Sequence, residues 1–282
     1  MKKKSIRSLL AVFVILLTLA GCTSEPTVAP LAVTILKVGK ADAIIVCTGP
    51  HTLLIDAGEE DDGQEITEFL RKRSISEIDA MIITHFDQDH VGGADTVLEQ
   101  FPVKSVYVPA YEGTHPEYLD FLMAAESAGV SPEHLTAPVS FRLGDADILI
   151  EPPRSYEIPD AAEDYDNNFS LITTIRHGEM CMVFMGDAEK PRIRQWLADS
   201  QPGPCDFLKV PHHGIYNKAL EELFSTLSPQ YAVICSSRKN PADTKTLELL
   251  KQFCPNVFET KDGNVTVISN GKKLEILQKI KK

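Results

Sequence analysis

Four apolar runs of strand length in this 282-residue chain lead directly into acidic or imidazole side chains. They are Leu53-Leu54-Ile55-Asp56, Met81-Ile82-Ile83-Thr84-His85, Met182-Val183-Phe184-Met185-Gly186-Asp187 and Phe207-Leu208-Lys209-Val210-Pro211-His212-His213. A buried strand that stops in a polar ligand is unremarkable once. Repeated along the chain, it restricts the fold to one in which several strand ends meet at a single place.

The intervening sequence supplies the elements for such a fold. Short β-branched runs at 32–38, 42–48 and 51–58, separated by glycine-containing turns, predict a meander. Ile66, Phe69 and Leu70, spaced by three and four, predict a helix over 62–73. Strands are then expected at 78–83, 103–108, 139–141, 147–151, 170–176, 180–185, 207–210 and 231–235. Helices are expected at 93–100, 116–128, 189–198, 218–227 and 244–253, with a closing hairpin over 265–277. Residues 152–168, acidic and proline-bearing, read as the one long loop. Two β-rich halves, each with helices, predict an α/β protein built as an αβ/βα sandwich of four layers, and 43% hydrophobic residues are ample for its cores.

The densest ligand run is Thr84-His85-Phe86-Asp87-Gln88-Asp89-His90-Val91-Gly92-Gly93. A helix cap needs one polar residue here, not four. No single ion accepts all four in comfortable geometry, whereas two ions roughly 3.5–4 Å apart can divide them. Each ion then needs further ligands from downstream strand ends, which Asp187 and the His212-His213 pair provide. Asp56 and Asp42 are expected to support metal ligands from behind rather than bind metal. His51, His115, His134 and His177 fall outside these blocks and read as surface or turn residues.

Residues 1–21 have a separate grammar. Lys2, Lys3, Lys4 and Arg7 precede an apolar run over 9–17 that is too short for a comfortable membrane span, and Leu19-Ala20-Gly21-Cys22 follows. This pattern resembles a bacterial lipobox. It implies a lipoprotein signal peptide over 1–21, a lipidated tether over 22–30 beginning at Cys22, and a catalytic domain over 31–282 held at the cell membrane outside the cytoplasm. Removing the leader takes away four of 28 Lys+Arg against 40 Asp+Glu, so the mature charge is near −16. Such a charge gives no global attraction to nucleic acid, and local runs such as Lys190-Pro191-Arg192-Ile193-Arg194 or Arg238-Lys239 read first as a solvated helix face or loop and second as candidate contacts. The five cysteines after Cys22 form no CxxC pair, and no disulfide framework is expected.

Taken together, these blocks resemble the metallo-β-lactamase superfamily, whose HxHxDH signature stands here as His85 to His90 with Asp87 in place of the second histidine. More narrowly, they resemble the hydrolase domain of ComEC-type DNA-uptake competence proteins and its stand-alone relatives. There (S/T)HxDxDHxGG, NNxSL, GD and KxxHHG recur in the order of Thr84–Gly93, Asn167–Leu171, Gly186-Asp187 and Lys209–Gly214. The family's VGQGDA turn departs here to Val38-Gly39-Lys40-Ala41-Asp42-Ala43.

The resemblance implies His85, Asp87 and a bridging Asp187 on one ion, and Asp89, His90, Asp187 and His213 on the other. His212 is left to face the substrate as proton donor, and it and Asp89 are taken as the catalytic residues. The histidine that many relatives supply before Asp187 is absent, with Asn167 and Asn168 in that region. Three carboxylates and three imidazoles make Mn²⁺ a competitor to Zn²⁺. The implied activity is a phosphodiesterase or nuclease-like hydrolase using a metal-bridging hydroxide, with DNA among the candidate substrates. The alternatives are hydrolysis of a cell-surface phosphodiester such as phosphocholine on teichoic acid, hydrolysis of a lactone, or an inactive metal-stabilised binding lipoprotein.

Overall fold

The computed structural model describes residues 28–157 and 165–278. The leader, Cys22 and the tether up to residue 27 lie outside the described residues, as does the middle of the acidic loop.

The chain opens as an antiparallel meander of β1 (Leu31–Ile35), β2 (Ala43–Thr48) and β3 (His51–Ala57). Then α1 (Asp62–Lys72), β4 (Ala80–Ile82), α2 (Gln88–Val91), α3 (Ala94–Gln100), β5 (Val106–Pro109), α4 (Pro116–Ser127) and β6 (Glu133–Leu135) extend that sheet in parallel. The second half places β7 (Val139–Leu143), β8 (Ala146–Glu151), β9 (Ile172–His177) and β10 (Met180–Phe184) in antiparallel order. It continues in parallel through α5 (Lys190–Ser200), β11 (Phe207–Lys209), α6 (Leu220–Leu227), β12 (Tyr231–Ile234), α7 (Thr244–Leu250) and β13 (Asn256–Glu259). Finally β14 (Val265–Ser269) and β15 (Leu274–Gln278) return to the first sheet beside β1.

Two sheets result, ordered β15-β14-β1-β2-β3-β4-β5-β6 and β13-β12-β11-β10-β9-β8-β7. Alternation along each strand sends one set of apolar residues between the sheets, among them Val33, Ile35, Ile148, Ile150 and Phe184. The opposite faces are covered by α1, α3 and α4 on the first sheet, through Ile66, Leu70, Val97 and Phe121. On the second sheet α5, α6 and α7 bring Ile193, Trp196, Leu223, Phe224 and Leu250. This is the expected αβ/βα sandwich.

The strands β6 and β13 were not expected from the sequence. Both are edge strands of three or four residues with no fully buried face, so neither carries an apolar alternation. The 166–169 segment of the expected loop is a 3₁₀ turn.

Gly93, between α2 and α3, permits a close backbone approach near the site. A Cβ there would come within 2.5 Å of the Ala57 carbonyl oxygen and 2.6 Å of the Gly63 backbone nitrogen, so α1, α3 and the end of β3 meet backbone to backbone. Among the described residues no helix is long and apolar enough to cross a membrane.

Candidate metal centre

In both sheets the parallel strands deliver their carboxyl ends to one pole, which is where open α/β sheets offer crevices for ligands. The two ends are tied together, since the Leu171 backbone N–H donates to the Thr84 carbonyl oxygen at 2.9 Å. His85 follows β4, Asp89 and His90 sit on α2, Asp187 follows β10 at the Gly186 turn, and His213 follows β11. Gly186 takes φ +52°, and a Cβ there would press on Ser170 and Thr84 at 3.0 Å, so the turn that aims Asp187 favours glycine.

Asp89, His90, Asp187 and His213 each place one ligand atom within 4.8 Å of the others, and all four residues are buried. His213 Nε2 lies 2.8 Å from Asp187 Oδ2 and 3.1 Å from Asp89 Oδ2, while His90 Nε2 lies 3.2 Å from Asp187 Oδ1. Yet His90 Nε2, His213 Nε2, Asp89 Oδ2 and Asp187 Oδ1 have no well-aligned hydrogen-bond partner among the described residues. Buried polar atoms are rarely left in that state. Ligand atoms drawn this close without hydrogen-bond alignment have the disposition a cation requires.

The charges agree with that fit. Asp42, Asp56, Asp89 and Asp187 are all buried, and the one buried ammonium among them is Lys209. With neutral imidazoles the cluster carries surplus negative charge, which a divalent ion compensates. In the protein alone the histidines do that work. Burial opposes the charged form of His90, but Asp187 and Asp56 outweigh it and raise its pKa well above the ordinary value. Burial likewise opposes His213, and Asp187 and Asp89 raise it to about 9. Against the cost of burial, His213, His90 and Lys209 hold the Asp187 carboxyl far below the carboxylate range, and His213 with His90 does the same for Asp89.

A pH dependence follows with a definite sign. The His213 contribution to stability is complete below its ordinary value of 6.5 and is lost as pH rises through about 9. The depressed Asp89 and Asp187 contribute above about 4, the unfolded carboxylate value, and lose that contribution in acid. Chelated protein is therefore expected to be most stable in mild acid, with its melting temperature falling from pH 6.5 to 9. Excess divalent metal reverses that slope, because binding requires neutral imidazoles. A flat profile in chelator would contradict this account of the charge balance.

His85 and Asp87 stand beside the cluster rather than within it. The His85 ring lies 4.1 Å from that of His90, and its Nε2, also unpartnered, is 3.4 Å from Asp87 Oδ2. Asp87 occupies the N-cap position of α2 but makes no side-chain capping bond, so its carboxylate is left for other use. Asp56, at φ 57°, accepts from Thr84 N at 2.7 Å and Thr84 Oγ1 at 2.8 Å and faces His90 Nδ1 at 2.8 Å. It thus sets the His90 ring so that Nε2 faces the cluster. Asp42, Asp56 and His90 also lie close enough together for a metal, but each is already engaged: Asp42 by Lys209, Asp56 by Thr84, and His90 Nδ1 by Asp56. His212 is not one of the four clustered ligands; its Nδ1 lies 3.2 Å from Glu189 Oε1. Both tandem histidines adopt left-handed backbone, φ 46° and 51°.

Several functional neighbours were not evident from the sequence. Lys209 is fully buried, pairs with Asp42, donates to the Gly186 carbonyl oxygen at 3.0 Å and lies 3.6 Å from Asp187. The sequence marks it as the lysine that heads the Lys209–Gly214 block, inside an otherwise apolar strand, but does not disclose its partners. Ser170 Oγ accepts from Asp187 N at 3.1 Å, and Lys40 Nζ reaches Asp89 Oδ2 at 2.8 Å from the rim.

Two expectations are corrected. Arg192 is no surface cation for nucleic acid: it is buried and donates to the Ser170 and Glu151 carbonyl oxygens at 3.0 and 2.5 Å. His177 is not a surface residue either, being fully buried between Ser269 Oγ and the Ala29 carbonyl oxygen. Cys47, Cys181, Cys205, Cys235 and Cys254 are free thiols.

Residues 36–238, most of the chain and all of this pole, match the family model of the metallo-beta-lactamase superfamily. The chain belongs to that superfamily. Within it the chain is 32% identical over 202 residues to ComE operon protein 3 of Bacillus subtilis, covering 71% of this chain and 25% of the relative. It is 27% identical over 252 residues to Recombination protein 2 of Haemophilus influenzae, covering 86% of this chain and 29% of that one. Both are ComEC-type competence proteins, and this metallo-β-lactamase chain spans little more than a quarter of their length. Among solved structures, the metallo-β-lactamase fold protein YhfI of B. subtilis superposes with a TM-score of 0.57 at 11% identity, over 85% of this chain and all of that one. Zn²⁺-bound PqqB of Methylobacterium extorquens gives 0.53 at 13%, over 84% and 99%. These likenesses concern the fold. The protein is a metallo-β-lactamase superfamily hydrolase with a His/Asp cluster suited to divalent metal.

Proposed function

We propose that this protein is a dinuclear metal-dependent phosphodiesterase, lipid-anchored through Cys22 and acting outside the cytoplasmic membrane. The observation that carries the metal reading is the convergence of Asp89, His90, Asp187 and His213 with their facing atoms unpartnered. His85 and Asp87, which stand beside that cluster, would hold a second ion together with Asp187. Divalent ions there, Mn²⁺ or Zn²⁺, supply activation of water near neutral pH and polarisation of an ester oxygen.

The chain's own residues prepare that chemistry. Asp56 fixes the His90 ring, Ser170 and Gly186 fix the Asp187 backbone, and Lys209 with Asp42 locks the β11 end to the meander. Glu189 holds His212 by Nδ1, and the doubly protonated ring would give its Nε2 proton to the departing alkoxide, leaving the neutral imidazole still bonded to Glu189. Support for a phosphodiester comes from the similarity to ComEC-type relatives, and DNA is one member of that class.

A substrate panel tests this proposal. Metal-loaded protein is expected to hydrolyse bis-p-nitrophenyl phosphate, and DNA or phosphocholine esters among natural diesters, while leaving a lactone intact. Turnover of the lactone alone would assign the site to carboxylic esters instead. For the anchor, Cys22→Ala is expected to move the protein from the membrane to the soluble fraction or leave it unprocessed, as read by fractionation. A variant that fractionates and migrates like the wild type contradicts lipidation.

A further inference from the structure

The first described residues are held at the pole opposite the metal centre. In the sheet register Leu31 lies against Thr48 and Ser269, whereas Ala43 and Ala57, beside Asp42 and Asp56, mark the other ends of β2 and β3. Those strands alone put about 17 Å between the two poles at their ordinary rise per residue, before the loops that carry the ligands at one end and the turns that hold Ala29 at the other are added. At the far pole Ala29 is clamped from both sides. Its N–H donates to Asp145 Oδ2 at 2.8 Å, and its carbonyl oxygen accepts from His177 Nε2 at 2.9 Å. The same imidazole accepts at Nδ1 from Ser269 Oγ at 2.8 Å. Gly271 leaves space for Val28, where a Cβ would stand 2.5 Å from Val28 Cγ2. Val28 follows Cys22 by six residues.

We infer that the pole of hairpin turns faces the bilayer and the metal centre faces away from it, so that the substrate is a diester presented from the aqueous side rather than a phospholipid of the protein's own membrane. This rests on the anchoring and phosphodiesterase readings above and adds orientation and substrate class to them. Six extended residues reach at most about 20 Å. A globule of this chain length has a radius of gyration of about 18 Å and a diameter near 45 Å, so a site-down orientation would lift Val28 about 40 Å from the surface. The tether does not span that distance.

The far pole is not itself adhesive. The exposed large apolar residues among the described ones are Leu119, Met123, Ile215 and Leu277, none of them in its turns. Ile215 instead follows His213 at the site pole, so the surface that could dip into lipid is the one the tether holds away.

The test uses the full lipidated chain in phospholipid vesicles, with a photo-crosslinking amino acid introduced singly. Glu179 and Lys273 report the turn pole, and Glu112 and Ile215 the site pole; all four are exposed. Lipid adducts identified by mass spectrometry are expected at 179 and 273 and at background at 112 and 215. Adducts at 112 or 215 matching those at 179 and 273 overturn the inference while leaving anchoring intact. Adducts at no position, with protein in the soluble fraction, overturn the anchoring itself. A flexible insertion of about 20 Gly/Ser residues after Pro26 is expected to equalise the two poles, since such a segment frees the domain to rotate. A bias that survives the insertion would mean the pole adheres on its own and would refute the tether as its cause.

Discussion

Replacing Lys209 with methionine is expected to destabilise the protein by about 3–5 kcal/mol, because it leaves a buried carboxylate without its cation. Lys209 has no exposed surface, and burial would by itself favour its neutral form. Asp42 and Asp187 prevail and raise its pKa, so it is held as the ammonium. Removing it strands Asp42, which is 1% exposed, and leaves the Gly186 carbonyl oxygen beside Asp187 with only the His212 backbone N–H as donor. Urea unfolding of chelated protein measures the loss. Adding Asp42→Asn should recover much of it, since the uncompensated charge and not the missing side chain is the main cost. A single variant within 1 kcal/mol of wild type, a cost expected of an ordinary point substitution, would show that the pair contributes little.

The tandem histidines should separate completely in their effects. His213→Ala removes a nitrogen that faces both Asp89 and Asp187, and it is expected to lose metal and activity together. His212→Ala touches only the contact to Glu189, so metal should stay while turnover falls by about 10²–10⁴, the range for a lost general acid. Bound metal and a phosphodiester rate measured on both variants decide between the roles. Metal lost from the His212 variant and retained by the other reverses the assignment.

The positions of these residues explain what could and could not be read from the sequence. Layers and most strands were legible because apolar runs broken by glycine turns alternate with helical spacing, as in the runs that become β2, β3 and β10. The edge strands β6 and β13 lack that signal, since neither presents a buried face. Within the site, histidines and aspartates at strand ends were legible because few other roles call for them there. The role of Lys209 was not, although the lysine heads the Lys209–Gly214 block, because a lysine late in a strand looks the same whether it meets water or, as here, an aspartate from the other half of the fold. Arg192 and His177 misled for the same reason: their partners, the Glu151 and Ala29 carbonyl oxygens, are brought to them only by the packing of the sheets.

The central claim is that the strand-end cluster is a two-metal centre. Elemental analysis of protein purified without chelator tests it most directly. About two equivalents of divalent metal per chain are expected, falling to about one or none in Asp187→Ala, the proposed shared ligand. Protein that is folded and fully active with no bound metal would contradict the account.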